Sequence, residues 1–148
     1  METSLHRQLK DHYANANSQL EARVGAYRID VKSANLLIEI QHGSLAAIRD
    51  KIKRLLASNR VLVVKPLIVR KLLIRKDAKH GRVIGRRLSP KRCTLLNLFD
   101  ELVYFTRVFP HPNLTLEVPL VEIEEHRYPG HGRRRRRRAN DFQIEDQV

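Results

Sequence analysis

The chain has 148 residues, 42% of them hydrophobic, which suffices for one core and rules out wholesale disorder. No apolar run approaches the about 18 residues of a membrane span, and residues 1–10 lack the apolar centre of a secretory signal. The single cysteine, Cys93, excludes an internal disulfide and any multi-cysteine zinc site, so a cytoplasmic protein with no membrane partner is expected.

The net charge is +13, and the chain stays basic even without the six arginines at 133–138. Such a balance favours a polyanionic partner, nucleic acid first, over charge kept for solubility alone.

Leu5, Leu9 and Tyr13 repeat at i, i+4 and i+8, which predicts a short amphipathic helix over 4–14 capped by Thr3 or Ser4. An extended segment follows over 20–24, with Gly25 as a bulge or bend. Tyr27-Arg28-Ile29-Asp30-Val31 reads as a strand with Tyr27, Ile29 and Val31 on one face and Arg28 and Asp30 on the other. In residues 36–41, Leu36, Ile38 and Ile40 share a face, and Leu37, Glu39 and Gln41 share the other. A hairpin turning through Ser33 and Ala34 links the two strands.

Ser44 caps a helix predicted over 45–59, whose stripe is Leu45, Ile48, Ile52, Leu55 and Leu56. Residues 61–65 form an apolar strand buried on both faces, parallel to 36–41 through a right-handed crossover. A second hairpin spans 67–75 and 82–88, and a helix over 95–109 has Leu95, Leu98, Leu102, Phe105 and Phe109 in the core. A last strand covers 114–123. The expected class is α/β, with a mixed sheet in an αβββαβ core over 4–66 and a hairpin–helix–strand extension over 67–125. Residues 126–148 read as a basic tail, disordered on its own.

The hairpin carries the chemistry. Asp30 and Glu39 fall on one face, directly opposite or diagonal, with Cβ atoms about 4.5–8 Å apart. Hard divalent cations take one or two carboxylates plus other oxygens, so Asp30, Glu39 and the carbonyl of Ile40 can hold Mg²⁺ or Mn²⁺. Gln41 is placed to hydrogen-bond an attacking water or a phosphate oxygen, and the helix start at Ser44 and Leu45 offers free N–H groups to a phosphate. The competing reading pairs Glu39 with Arg28 across the hairpin and leaves Asp30 capping the 32–35 turn. Against it, Glu39 lies in an otherwise apolar strand where an unpaired carboxylate is costly.

Asp30, an eight-residue gap and Glu39-Ile40-Gln41, set in a helix–strand–strand–helix–strand order, resemble the PD-(D/E)XK nuclease superfamily, which includes restriction endonucleases and Holliday junction resolvases. The longer string 27–31, 37–41 and Ile48-Arg49-Asp50-Lys51 is similar to a bacterial group within it. The resemblance implies Mg²⁺-dependent DNA cleavage, on branched or otherwise structured DNA, with Asp30 and Glu39 as metal ligands and Gln41 at the usual lysine position. It also implies, by analogy with resolvases and restriction enzymes, a homodimer. Glu21 resembles the additional upstream acid of many members, or is an exposed strand glutamate. Lys51 lends a positive charge if it reaches back, although the solvated side of an amphipathic helix is the more ordinary place for it.

His6 and His12 do not share a helix face and read as surface histidines, and Cys93 as a half-buried structural residue. Arg75, Lys76, Arg82, Arg86, Arg87, Lys91 and Arg92, with Arg49, are the candidate DNA contacts, the first seven clustered on the second hairpin and its turn. The rival functions are a nucleic-acid-binding module of the same fold without catalysis, and an RNA-associated basic protein with no site.

Overall fold

The computed structural model describes residues 2–130 and 142–148. The first helix, α1 (Ser4–Tyr13), starts where the Thr3 hydroxyl accepts from the His6 N–H, and it buries Leu5 and Leu9. Strand β1 (Gln19–Val24) turns at Gly25, whose φ of +57° is left-handed and suits glycine, into β2 (Tyr27–Ser33). A two-residue turn, Ala34-Asn35, leads to β3 (Leu36–Ile40). A 3-10 turn (Leu45–Ile48) capped by Ser44 runs into α2 (Arg49–Leu55), and the crossover closes with β4 (Arg60–Val64), parallel to β3. The order αβββαβ is thus present, and the protein is a mixed α/β fold.

The remaining elements are β5 (Leu67–Lys76), β6 (Val83–Leu88), α3 (Leu96–Val103), β7 (Leu114–Glu117), β8 (Leu120–Pro129) and β9 (Phe142–Gln147). They build two sheets: β1-β2-β3-β4-β7 and β6-β5-β8-β9. On one face of the first sheet, Leu45, Ile48, Ile52 and Leu55 pack with Ile29, Leu37, Val61, Val63 and Phe105. On the other face, Leu5 and Leu9 of α1 and Ile123 of the second sheet pack with Val31, Ile38, Ile40, Leu62 and Val64. Burial on both faces explains the unbroken apolar run of β4.

Four expectations change. The strand expected over 114–123 is two strands, because the chain leaves the first sheet after Glu117 and enters the second at Leu120, with Pro119 between them. The helix expected over 45–59 is α-helical only over 49–55, where the Asn59 side chain donates to the Leu55 carbonyl and closes it. The helix expected over 95–109 ends at Val103. Beyond it come aromatic and β-branched residues, poor helix formers, and a turn puts Phe105 and Val108 in the core while Leu95 is exposed.

The supposed tail is also part of the fold. β8 continues to Pro129, and β9 pairs antiparallel with it, Glu125 opposite Gln147. The arginine run at 133–138 lies outside the described residues.

Candidate active site

The hairpin register decides what meets what. Val31 pairs with Ile38, Lys32 with Leu37 and Ser33 with Leu36, so the turn is one residue later than Ser33-Ala34. Continued, that register sets Asp30 against Glu39. Arg28 instead faces Arg23 on β1, and its guanidinium binds Glu21 at 2.6 Å, so the expected cross-strand pair of Arg28 with Glu39 is not made.

The ladder ends at Val31 and Ile38. Beyond it, the Ile40 N–H donates to Asp30 Oδ2 at 2.8 Å, so a carboxylate takes the place of a main-chain acceptor between the strands. The alternation of β2 breaks at the same point. Val31 packs toward α1, whereas Tyr27 and Ile29 pack toward α2, so the three do not share a face as expected. Across β1, Glu21 lies between the pairs Leu20–Val31 and Ala22–Ile29 and has φ +52°, left-handed for a non-glycine. The irregularity thus spans both strands at the level of Asp30.

β3 alternates as expected, and Glu39 is buried on the α2 side. Its Oε1 accepts from Lys51 Nζ at 2.6 Å, while Oε2 is buried with no hydrogen-bond partner among the described residues. Burial raises the Glu39 pKa, and the negative charge of Asp30 pushes the same way, opposed by Lys51 and the Asp30 main chain. Lys51 is therefore a partner of the acid rather than a solvated side chain. The expected sharing of one face is not met: with the alternation of β2 broken, Asp30 turns into the split between the strands and to His6 of α1, while Glu39 lies beside α2, and it is the charge of Asp30 that reaches Glu39.

The other Asp30 oxygen, Oδ1, lies 3.2 Å from Nε2 of His6, which is drawn into the site rather than left on the surface. The His6 and His42 rings lie 5.3 Å apart at 44°. Burial, with His6 and Lys65 nearby, lowers the His42 pKa to about 4, and its Nε2 is buried without a partner among the described residues. Lys65, also buried, has its pKa lowered by desolvation and donates to the carbonyls of His42 and Gly43, at 3.0 Å for the first. That lysine ties β4 to the turn after β3. Beside these residues opens a cleft of about 480 Å³ lined by Glu2, Thr3, His6, Glu21, Arg28, His42 and Gln147.

Three predicted contributors are otherwise engaged. The Gln41 amide donates to the Ser44 carbonyl at 2.8 Å and closes the turn instead of reaching the carboxylates. The Leu45 N–H is held by Glu101 at 2.9 Å and the Ala46 N–H by the Ser44 hydroxyl, so that helix start has no free donors there for a phosphate. Glu21 accepts from Lys10 as well as Arg28, and both neighbours lower its pKa, the Lys10 hydrogen bond most.

His6 and His42 are site residues that sequence spacing does not single out, though each leaves a trace. His42 directly follows Gln41, and His6 sits on the flank of the Leu5–Leu9 stripe, on the side of α1 that meets the sheet.

Of the basic residues, Arg75, Arg82, Arg86, Arg87, Lys91 and Arg92 are exposed. Lys76 is spent internally, 2.7 Å from Glu145, and Arg49 leans on Asp50 at 3.2 Å. Cys93 is exposed, not half-buried.

The family described as "Domain of unknown function (DUF8091)" matches residues 3–148. The chain belongs to the DUF8091 family. The match takes in α1, the hairpin and β9 alike. This DUF8091 protein is 30% identical over 124 residues to a protein of Treponema pallidum (strain Nichols) described as an uncharacterized protein. The alignment covers 83% of the chain and 49% of the relative, so the chain spans about half the length of that relative. No solved structure matches it. No helix among its described residues is long and apolar enough to cross a membrane.

Proposed function

We propose that this DUF8091 protein is a cytoplasmic Mg²⁺-dependent nuclease, with Mn²⁺ able to substitute, that hydrolyses DNA phosphodiesters at Asp30 and Glu39, as the resemblance to PD-(D/E)XK enzymes implies. The observation that carries the reading is Glu39 Oε2: a buried carboxylate oxygen with no hydrogen-bond partner among the described residues, beside a second carboxylate that disfavours its charge. A cation answers both features at once, since it supplies the missing partner and offsets the like charges. Among the described residues no three His, Cys, Asp or Glu side chains form a ligand set; in this reading the two acids would hold the ion with the Ile40 carbonyl, water and substrate.

Bound Mg²⁺ supplies polarisation of the phosphodiester and a readied water. The chain's own groups do the rest. Asp30 is fixed by the Ile40 N–H and by His6, which sets its carboxylate in the split between β2 and β3. Lys51 brings a positive charge to Glu39, and with Gln41 at the superfamily's usual lysine position it is the group that would offset charge developing on the phosphate. The exposed arginines of β6 give a surface for the DNA backbone, and a homodimer, by the same resemblance, would present two such sites.

The test is cleavage of junction, flap, single-stranded and linear duplex DNA in Mg²⁺ against chelator. Wild type cuts at least one of them, and Asp30→Asn and Glu39→Gln lose cutting while keeping DNA binding. A wild type that binds DNA but cuts nothing in Mg²⁺ or Mn²⁺ establishes the second reading, a binding module without catalysis. That reading is favoured by one observation, the Gln41 amide turned onto Ser44.

A further inference from the structure

We propose that the cleft beside Asp30 receives one unpaired nucleobase of the strand being cut, so that the substrate must offer a nucleotide outside a duplex; this rests on the nuclease reading above. The cleft and the acid share a side chain, since His6 lines one and holds the other. A base seated there therefore lies next to the candidate scissile position.

Size is the first argument. A volume of about 480 Å³ falls in the range of small-molecule pockets and is adequate for one nucleotide.

Lining chemistry is the second. Thr3 and Gln147 bring uncharged polar groups of the kind that read a base edge, Gln147 through its amide oxygen because its amide N–H donates to Glu125. Two imidazole rings, tilted against each other, offer aromatic surface to an unstacked base. Glu2 and Glu21 also line the cleft, and although Lys10 pairs with both, they make its interior a poor place for a phosphate. Arg28, mostly exposed at the rim, is the group positioned for the phosphate that trails the base.

The walls come from five separate parts of the chain, before and on α1, on β1, on β2, after β3 and on β9. Gln147 closes one side only because β9 folds back along β8.

The experiment measures binding in chelator, where no chemistry intervenes. Fluorescence anisotropy compares a blunt duplex with the same duplex carrying a short single-stranded overhang. Wild type is expected to bind the overhang substrate about tenfold tighter, the scale of one stacked base. Arg28→Ala removes at least about half of that preference on a logarithmic scale and leaves blunt-duplex affinity unchanged. Unchanged melting midpoints exclude misfolding, and Arg28 is exposed enough for that control to hold. Equal affinity of wild type for both substrates, or a preference that survives Arg28→Ala, overturns the proposal. A preference for overhangs without Mg²⁺-dependent cleavage sinks the nuclease reading alone, and cleavage without preference sinks the cleft alone.

Discussion

Lys51 holds the charge balance of the site. Its Nζ is the one side-chain hydrogen-bond partner of the buried Glu39 carboxylate among the described residues, at 2.6 Å. Lys51→Met keeps the side chain's length and removes its charge, leaving a carboxylate in a low-dielectric position with nothing to answer it. The expected loss in urea unfolding at neutral pH is about 1–3 kcal/mol, the usual penalty for orphaning a buried polar group. Adding Glu39→Gln to Lys51→Met should recover much of it, because the charge that needed a partner is gone. If Lys51→Met is neutral, Glu39 is not dependent on the ammonium. The sequence shows why this pairing was hard to foresee. Lys51 stands next to Ile52 and three residues after Ile48, at the flank of the apolar stripe. Helical spacing says which residues face the sheet but not which flank lies over the end of β3. The face of β3 on which Glu39 lies was legible because strand periodicity needs only local spacing. The insertion of Asp30 between the strands was not, since it depends on a break shared with Glu21 on another strand.

At the scale of elements, β9 is the piece the sequence concealed. Phe142 to Gln147 is polar, acidic and placed after an arginine run, all marks of a solvated end. The acids that gave this impression are those that dock it: Glu145 on Lys76, and Asp146 on the Ser4 N–H and hydroxyl at 2.8 and 2.5 Å. Every one of these partners is distant in sequence, so no window of residues reveals them. Asp146 satisfies the start of α1, the helix that carries His6. Asp146→Ala should therefore cost about 1–3 kcal/mol, as for hydrogen bonds to a charged group. Amide hydrogen exchange should rise in α1 ahead of the rest of the fold, and uniform acceleration would count against a local clamp.

β8 adds a pH dependence. Glu125 is fully buried, and although burial opposes its charge, bonds from Lys71, Gln147 and Arg127 outweigh it and hold the pKa below its ordinary value of 4.5. The native state then stays ionised at a pH where the unfolded chain takes up a proton. Its contribution to stability is present above about pH 4.5 and is lost as pH falls through the lower, native value. Chemical unfolding from pH 7 to 3 should show this slope, flattened in Glu125→Gln.

On the scale of the whole molecule, two mixed sheets share one core, with α1 and Ile123 on the face where they meet. The first half of that plan was readable, because a buried apolar run, a helical stripe and a hairpin in sequence leave few topologies. The second sheet was not, since it depends on Pro119 switching the chain between sheets and on β9 returning to β8. The arrangement sorts the basic residues into two kinds. Lys71 and Lys76 are bound to acids of β8 and β9, whereas Arg86 and Arg87 on the edge strand β6 are exposed, as is Arg82 just before it, 3.9 Å from Asp77. Only the second kind can release counterions from DNA. Replacing Arg82, Arg86 and Arg87 together with Ser should lower the slope of log affinity against log salt by up to about 2.7 for duplex DNA, about 0.9 for each phosphate left without its cation. Lys76→Ala should leave that slope unchanged and lower stability instead, because its charge is committed to Glu145. The contrast separates a DNA-facing edge strand from general electrostatic attraction: if the triple replacement and Lys76→Ala shift the slope equally per charge removed, net charge alone drives binding and β6 is not the DNA-facing surface.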